Sequence, residues 1–148
     1  MNFVSGRERI ADWVTDKSGG NLTDYYECVA VADDEGNLKA GVVFDGWTGE
    51  GGSVFLHSRI DDAKYATRAF YRMVFAYAYI ELDVNMCYGI VNSYNEKAKK
   101  LNEKLGFTKE HPLRNYFPDG DAILYGLHRD DCRWIRKDHE IRPFKHAA

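Results

Sequence analysis

The feature that most constrains the fold of this chain is a change of hydrophobic period in its central third. Residues 53–60 (SVFLHSRI) are rich in strand-forming side chains, but apolar residues then recur at helical spacing over 67–81. A second short apolar segment, at 86–91, is typical of a buried strand. Two strands joined through a helix run parallel, and their connection is right-handed. The sequence therefore predicts one β-α-β unit at the centre of the chain.

Further strands and helices are predicted on both sides of this unit. Strand-forming and turn residues alternate before it, and after it a stop signal at Gly106 ends a second helical pattern. The remaining predicted elements are a helix at 7–14, strands at 25–31 and 38–44, a helix at 95–105, and strands at 107–110 and 122–128. The predicted fold class is therefore α/β (α+β), with a mixed, mostly antiparallel central sheet and flanking helices.

Length and composition indicate a soluble chain with one core. The chain has 148 residues, of which 45% are hydrophobic, so we expect a single domain over 1–148 with a loose polar tail at about 136–148. No apolar run approaches the roughly 18 residues of a membrane span, and the N-terminus has no signal-peptide core. Three widely spaced cysteines form no CxxC pair, which favours free thiols over a metal site. We therefore expect a cytoplasmic protein without a metal or a membrane partner.

The charge of the chain is unevenly distributed. Residues 1–62 hold five Lys/Arg against twelve Asp/Glu, whereas residues 63–148 hold fifteen against eleven. The basic second half fits a polyanionic ligand, and it equally fits solvated helix faces. Nucleic acid is not the expected partner, because the lysines alternate with glutamates and no base-stacking motif is present.

Residues 95–107 (NEKAKKLNEKLGF) carry a motif that resembles one of the GNAT superfamily of N-acetyltransferases. The resemblance is strongest to the branch that acetylates ribosomal-protein N-termini and antibiotics, and small members of this type also occur in tailed phages. It is specific over 86–134 and weaker over 7–85. The positions in register with the motif are Asn95, Ala98, Leu101, Glu103, Lys104, Leu105, Gly106 and Phe107.

The resemblance implies both a fold and an activity. In the GNAT fold, the parallel strands expected at 53–60 and 86–92 splay apart, and the pantetheine arm of acetyl-CoA enters the gap. The implied activity is transfer of an acetyl group from acetyl-CoA, the co-substrate, to a primary amine by direct attack. The acceptor is then an amine of a small molecule or a protein, and formation of a homodimer is left open.

The resemblance places the CoA pyrophosphate at the loop 61–68 (DDAKYATR), before the second predicted helix. A helix N-terminus offers unpaired N–H groups and about half a positive charge to such an anion. The family's glycines are missing here, since the chain has no glycine between Gly52 and Gly89, and Asp61 and Asp62 would repel phosphate unless they turn away. We expect charged side chains to compensate; loss of CoA binding is the alternative. The expected cofactor contacts are Lys64, Tyr65, Ala66, Thr67, Arg68, Asn95 and Lys100.

Two residues are candidates for catalysis. His57 lies on the strand 53–60, and a histidine side chain ordinarily has a pKa of about 6.5, so it would accept the amine proton. The alternative is that His57 is simply a hydrogen-bonded histidine of the sheet. Asn95 matches the family's motif asparagine, which contacts pantetheine or the active-site water, and it also fits a helix cap.

The general acid is not assigned by the sequence. Asn102 stands where many family members have a tyrosine, and an amide does not release a proton at neutral pH. Ser93 and Tyr94, before the helix, are candidates to replace this tyrosine as the acid or to anchor a water. A catalytically silent GNAT-like module that binds a protein or forms a dimer is therefore the alternative function.

Overall fold

The computed structural model describes residues 2–4, 6–18 and 22–135, and the tail expected at about 136–148 lies outside them. Every element expected within this range is present, and one short strand is additional at the N-terminal end. The elements are β1 (Asn2–Val4), α1 (Arg7–Ser18), β2 (Tyr26–Ala32), β3 (Leu38–Asp45), β4 (Ser53–Ile60), α2 (Arg68–Ala76), β5 (Met86–Asn92), α3 (Glu96–Leu105), β6 (Thr108–Phe117) and β7 (Gly120–His128). A π-helical turn, Tyr77–Glu81, continues α2, so the helix expected at 67–81 is found with both ends close to their predicted positions.

The seven strands form one sheet in the order β1-β2-β3-β4-β5-β7-β6. All neighbouring strands are antiparallel except β4 and β5, whose parallel pairing covers only three residues of each strand. Beyond Phe55 and Tyr88 this pairing ends, while β4 stays paired to β3 and β5 stays paired to β7. The expected mixed sheet with a splayed parallel pair is therefore confirmed.

The three helices are divided between the two faces of this sheet, with α2 and α3 on one face and α1 on the other. Phe70, Val74 and Phe75 of α2 share a buried cluster with Val54 of β4, and the partly buried Leu105 of α3 packs against the same cluster. Right-handed connections from β4 to β5 and from β5 to β6 place α2 and α3 on one face. The helix α1 packs against a second cluster on the other face, built from residues Ile10, Ala11, Val14, Ala30 and Val43.

Local signals explain where α2 and α3 begin. The Thr67 hydroxyl accepts a hydrogen bond from the N–H of Phe70 (3.2 Å), and the Asn95 side chain accepts one from the N–H of Ala98 (3.1 Å). Each side chain thereby satisfies an N–H that has no partner inside its helix. Gly106 ends α3 in the left-handed conformation, at φ 110°. The capping reading of Asn95 is thus observed.

The strand β6 is longer than expected, because it runs through Pro112 to Phe117 instead of ending near residue 110. It lies at the edge of the sheet, where the missing N–H of a proline breaks no pairing with an outer strand. The register between β6 and β7 shifts between Lys109 and His111, which leaves one residue of β6 without an opposite residue on β7. No helix in the described ranges combines the length and apolarity needed to cross a membrane.

Candidate active site

A cavity of about 710 Å³ lies between α2, α3 and the segment that follows β7. Its apolar walls come from both helices, from the end of β4 and from the segment after β7, at residues Ile60, Tyr71, Leu101, Leu105 and Trp134. From the described residues, its polar lining holds five cations and one carboxylate, namely Arg68, Arg72, Lys97, Lys104, Arg133 and Asp61. A cavity of this size accommodates a cofactor-sized molecule, and its charge favours a polyanion.

Helical geometry brings four of these cations to the cavity. Arg68 and Arg72 are four residues apart and therefore share a face of α2. Lys97 and Lys104 are separated by seven residues and lie on one face of α3 with Leu101 between them. The two helices thus present paired cations toward each other across the cavity.

The third wall comes from the segment after β7. The Trp134 Nε1 donates to the carbonyl of Leu105 at 2.9 Å, and the Arg133 guanidinium donates through Nη2 to the carbonyl of Lys104. Both bonds satisfy carbonyls at the C-terminal end of α3, which have no partner within the helix. The ring of Trp134 lies 5.3 Å from that of Tyr71 on α2, so this segment connects the two helices.

The loop between β4 and α2 adopts ordinary backbone conformations without glycine. A single 3-10 turn spans Ala63–Tyr65, and the Asp62 carboxylate caps it by accepting from the N–H of Lys64 at 3.1 Å. Ala66 follows at φ −84°, a value open to any L-residue. The missing family glycines are therefore not required by the path of this loop.

The N-terminal end of α2 points its dipole into the cavity region. The first backbone bond of the helix runs from the Tyr71 N–H to the Thr67 carbonyl at 3.1 Å. The N–H groups of Arg68 and Ala69 precede that bond, at the end of the helix that carries about half a positive charge. Since Arg68 also lines the cavity, backbone and side-chain donors for an anion lie together here.

The structure brings together only some of the cofactor residues expected from sequence. Ala66 and Arg68 line the cavity, and Thr67 caps α2 beside them. Lys64 and Tyr65 do not line it, because the Lys64 ammonium lies 3.8 Å from the Asp62 carboxylate and Tyr65 packs against the core. The same holds for Lys100, whose neighbours Lys97 and Lys104 take the lining positions, and for the helix cap Asn95.

Three cations of the cavity are not predicted from the sequence: Arg72, Lys97 and Arg133. The spacing of Arg72 from Arg68, and of Lys97 from the motif residues Leu101 and Lys104, is the signal that places the first two on the relevant helix faces. No local pattern connects Arg133 to the site, since only the return of the chain after β7 brings it there.

His57 lies on the face of the sheet opposite to this cavity. It pairs with Val43, whose side chain packs under α1, whereas Ile60 of the same strand lines the cavity. Burial lowers the pKa of His57 below its ordinary value, and the charge of Asp45 opposes this shift. The imidazole is therefore neutral at pH 7, which is the form that accepts a proton.

The gap between β4 and β5 connects the two faces. Phe55 and Tyr88 stand at its closed end with ring centroids 5.5 Å apart. Alternation along the strands places Ile90 and Asn92 beyond Tyr88 on the same face as His57. The side-chain oxygen of Asn92 is buried and accepts no hydrogen bond from the described residues. A ligand donor entering the gap would therefore find an acceptor at its open end.

The residues considered for the general acid differ in their surroundings. Asn102 donates to the carbonyl of Ala98 at 2.9 Å, and its oxygen would lie 3.5 Å from a Cβ at Gly89, so it faces β5 from α3. Tyr94 is exposed and donates to the Asp119 carboxylate at 2.6 Å, and this bond raises the pKa of the phenol. Tyr94 therefore keeps its proton at neutral pH.

Comparisons with known proteins identify the fold. No protein-family model matches the chain, and no curated protein matches its sequence. A mutant of the spermidine N-acetyltransferase SpeG from Vibrio cholerae matches with a TM-score of 0.72 at 14% identity, covering 93% of this chain and 99% of that one. The same enzyme in complex with CoA and spermine matches at 0.64 and 20% identity, covering 82% and 75%.

A third solved structure is of a different acetyltransferase. The ribosomal-protein-S5-alanine acetyltransferase from Vibrio fischeri matches with a TM-score of 0.62 at 19% identity, covering 87% of this chain and 72% of that one. Together with the splayed strands, these similarities establish the GNAT fold that the motif at 95–107 implied.

Proposed function

With the GNAT fold as premise, we propose that this protein is an N-acetyltransferase that transfers an acetyl group from acetyl-CoA to a primary amine by direct attack. The observation that carries the proposal is the basic cavity at the N-terminal end of α2, next to the gap between β4 and β5. A site for a polyanion beside an opening in the sheet is the arrangement that CoA, with its phosphates and its extended arm, requires.

The phosphates of CoA fit the cations of the cavity. Arg68 and Arg72 offer two N–H groups each to phosphate oxygens, and Lys97, Lys104 and Arg133 add positive charge from the other walls. The N–H groups at the start of α2 add backbone donors near Ala66 and Thr67. Lys64, Tyr65, Asn95 and Lys100 lie outside the lining of this cavity, and from the resemblance we propose them as contacts for parts of CoA that extend beyond it.

The gap between β4 and β5 suits the pantetheine arm. Beyond Phe55 and Tyr88, the facing edges of the two strands are no longer paired with each other. An extended chain with amide groups can bind to such edges as an added strand would. The arm would thereby carry the thioester from the basic cavity toward the face on which His57 lies.

The proposed reaction needs little from the protein besides positioning. The amine nitrogen attacks the thioester carbonyl carbon, a C–N bond forms and the C–S bond breaks, and the CoA thiolate leaves. Neutral His57 takes the amine proton, directly or through water, and Tyr94 is the proposed proton donor to the thiolate. Holding the two reactants at attack distance supplies a large part of the acceleration.

The proposed acceptor is an amine of a small molecule or a protein. Two neighbours in structure act on spermidine and on a ribosomal-protein alanine, according to their names, and both substrates present an amine to the thioester. The first acceptors to compare are therefore spermidine, spermine and a peptide with an N-terminal alanine.

Thermal unfolding with acetyl-CoA tests the proposal first. Ligand at about a hundredfold above its Kd adds about 2.7 kcal/mol of stability, and each kcal/mol raises the midpoint of a chain this size by about 2–4 °C. We expect a dose-dependent rise up to about 1 mM acetyl-CoA, followed by thiol release with one of the amines. No rise in the midpoint would refute the proposal.

The alternative function is a silent GNAT-like module that binds a protein partner or a second copy. It is favoured by Asn102, whose amide stands in place of the usual tyrosine. Binding of acetyl-CoA without thiol release across the amine panel, at several pH values, would support this alternative over the enzyme.

A further inference from the structure

We propose that Arg59 is a positioning residue, which neutralises Asp61 and thereby makes the glycine-free loop before α2 acceptable to the CoA pyrophosphate. The inference rests on the proposed function, because it concerns how the same site accepts its anion. It assigns a role to a residue outside the cavity and outside every family motif in the chain.

The geometry of the pair is that of a two-bond fork. The Arg59 Nε lies 2.9 Å from one Asp61 carboxylate oxygen, and the Nη2 lies 2.9 Å from the other. A guanidinium and a carboxylate joined in this way form one of the stronger ion pairs available to side chains. Both carboxylate oxygens of Asp61 therefore accept a hydrogen bond from Arg59.

Arg59 is itself held in place from the other side of the sheet. Its Nη1 donates to the carbonyl of Trp13 at 2.7 Å, and its guanidinium lies 4.3 Å from the centroid of the Trp13 ring. Asp16 adds a longer ion pair at 3.9 Å. Since Trp13 and Asp16 belong to α1, the guanidinium draws the Asp61 carboxylate toward α1, away from the helices that enclose the cavity.

The position of Asp61 makes this arrangement consequential. Among the described residues that line the cavity it is the one carboxylate, two positions before the turn that leads to Ala66 and Arg68. An unpaired carboxylate there would repel a pyrophosphate. The pair is only partly exposed, with 14% of the Arg59 side chain and 31% of the Asp61 side chain accessible, so water screens it less than it would a surface pair.

The charge of Asp62, the second acid of the loop, is compensated within the loop itself. Asp62 accepts from the N–H of Lys64 at 3.1 Å and lies 3.8 Å from its ammonium, and it does not line the cavity. The two acids of the loop, each of which would repel phosphate, are thus compensated by separate means. Only the compensation of Asp61 depends on a residue from outside the loop.

A purely structural role of Arg59, which also attaches α1 to β4, makes a different prediction. Loss of that attachment would lower stability whether or not Asp61 is charged. Neutralisation of Asp61, in contrast, becomes unnecessary once the carboxylate is removed. The double variant Arg59→Gln with Asp61→Asn therefore separates the two roles.

The experiment is a calorimetric titration of CoA into the full chain and three variants, with thermal unfolding of each free protein. We expect Arg59→Gln to weaken CoA binding about tenfold, a change of about 1.4 kcal/mol, and Asp61→Asn alone to bind at least as tightly as the unmodified chain. The double variant should recover to within about threefold, even though its unfolding midpoint stays as low as that of Arg59→Gln.

Two results would overturn the inference: undiminished CoA binding by Arg59→Gln, or a double variant that binds as weakly as Arg59→Gln. If Arg59→Gln does not fold, Arg59→Lys replaces it, since lysine keeps the charge and loses the fork; it should weaken binding about threefold and be rescued by Asp61→Asn. Absence of CoA binding by the unmodified chain is a distinct result, which refutes the proposed function and this inference with it.

Discussion

Arg68 is expected to have opposite effects on stability and on cofactor binding. It is the first residue of α2, where the positive end of the helix dipole disfavours a cation. It also lines the cavity that is proposed to hold the CoA phosphates. The substitution Arg68→Gln should therefore stabilise the free protein and weaken the complex.

The two magnitudes follow from the position of the side chain. Removing a cation from the first turn of a helix contributes about 0.3–1 kcal/mol of stability, which raises the unfolding midpoint by about 1–4 °C. A charged hydrogen bond to phosphate is worth about 1.5–3 kcal/mol, and Arg68 is exposed, so the lower value applies and binding should weaken about tenfold.

Arg72 provides the matched control. It lines the same cavity and presents the same side chain, but it lies one turn further from the helix N-terminus, where the dipole effect has largely decayed. Arg72→Gln should weaken CoA binding without raising the midpoint. Calorimetry with CoA and thermal unfolding without it give both quantities. The reasoning is refuted if Arg68→Gln lowers the midpoint, or if it leaves CoA affinity unchanged.

Two further predictions concern the other face of the sheet and the end of α3. His57→Gln should lower the rate of acetyl transfer without changing CoA affinity, and the rate of the unmodified chain should fall as pH drops through the pKa of His57, which burial sets below its ordinary value. His57 has its ordinary pKa, about 6.5, in the unfolded chain, so the unfolded chain binds a proton at a higher pH than the folded protein does. The free energy of unfolding should therefore fall as pH decreases from about 6.5. If the His57→Gln variant showed the same fall, the pH dependence would not come from His57. Gly106→Ala should lower the free energy of unfolding by about 1 kcal/mol in chemical denaturation, because φ is 110° at this position. Gly89→Ala should lower it less, since its new Cβ would meet Asn102 at an ordinary distance of 3.5 Å. Equal losses in the two variants would refute the conformational argument.

Periodic side chains made most of the fold predictable. The alternation at 53–60 and the helical spacing at 67–81 depend on which face of an element is buried, and this is a local property of the sequence. The strand β6 is expected only over 107–110, but it runs through Pro112 to Phe117, and the tolerance of a proline there depends on an edge position that only the assembled sheet reveals.

The candidate site was predictable to a smaller extent. The motif at 95–107 located α3, and the segment before α2 located Ala66 and Arg68, but the remaining cations come from three separate parts of the chain. The sequence predicts repulsion between Asp61 and phosphate from the position of Asp61 in the loop alone. Its compensation by Arg59 depends on the position of α1 across the sheet, which no local pattern encodes.

The wall formed by Arg133 and Trp134 has a consequence for incomplete chains. These residues follow β7, so every described strand and the helices α1, α2 and α3 are synthesised before them. A nascent chain that stops at His128 can pair every strand of the sheet, yet it leaves the C-terminal carbonyls of α3 without the donors that Arg133 and Trp134 provide. A product truncated there would therefore retain every described strand while one side of the anion cavity stays open.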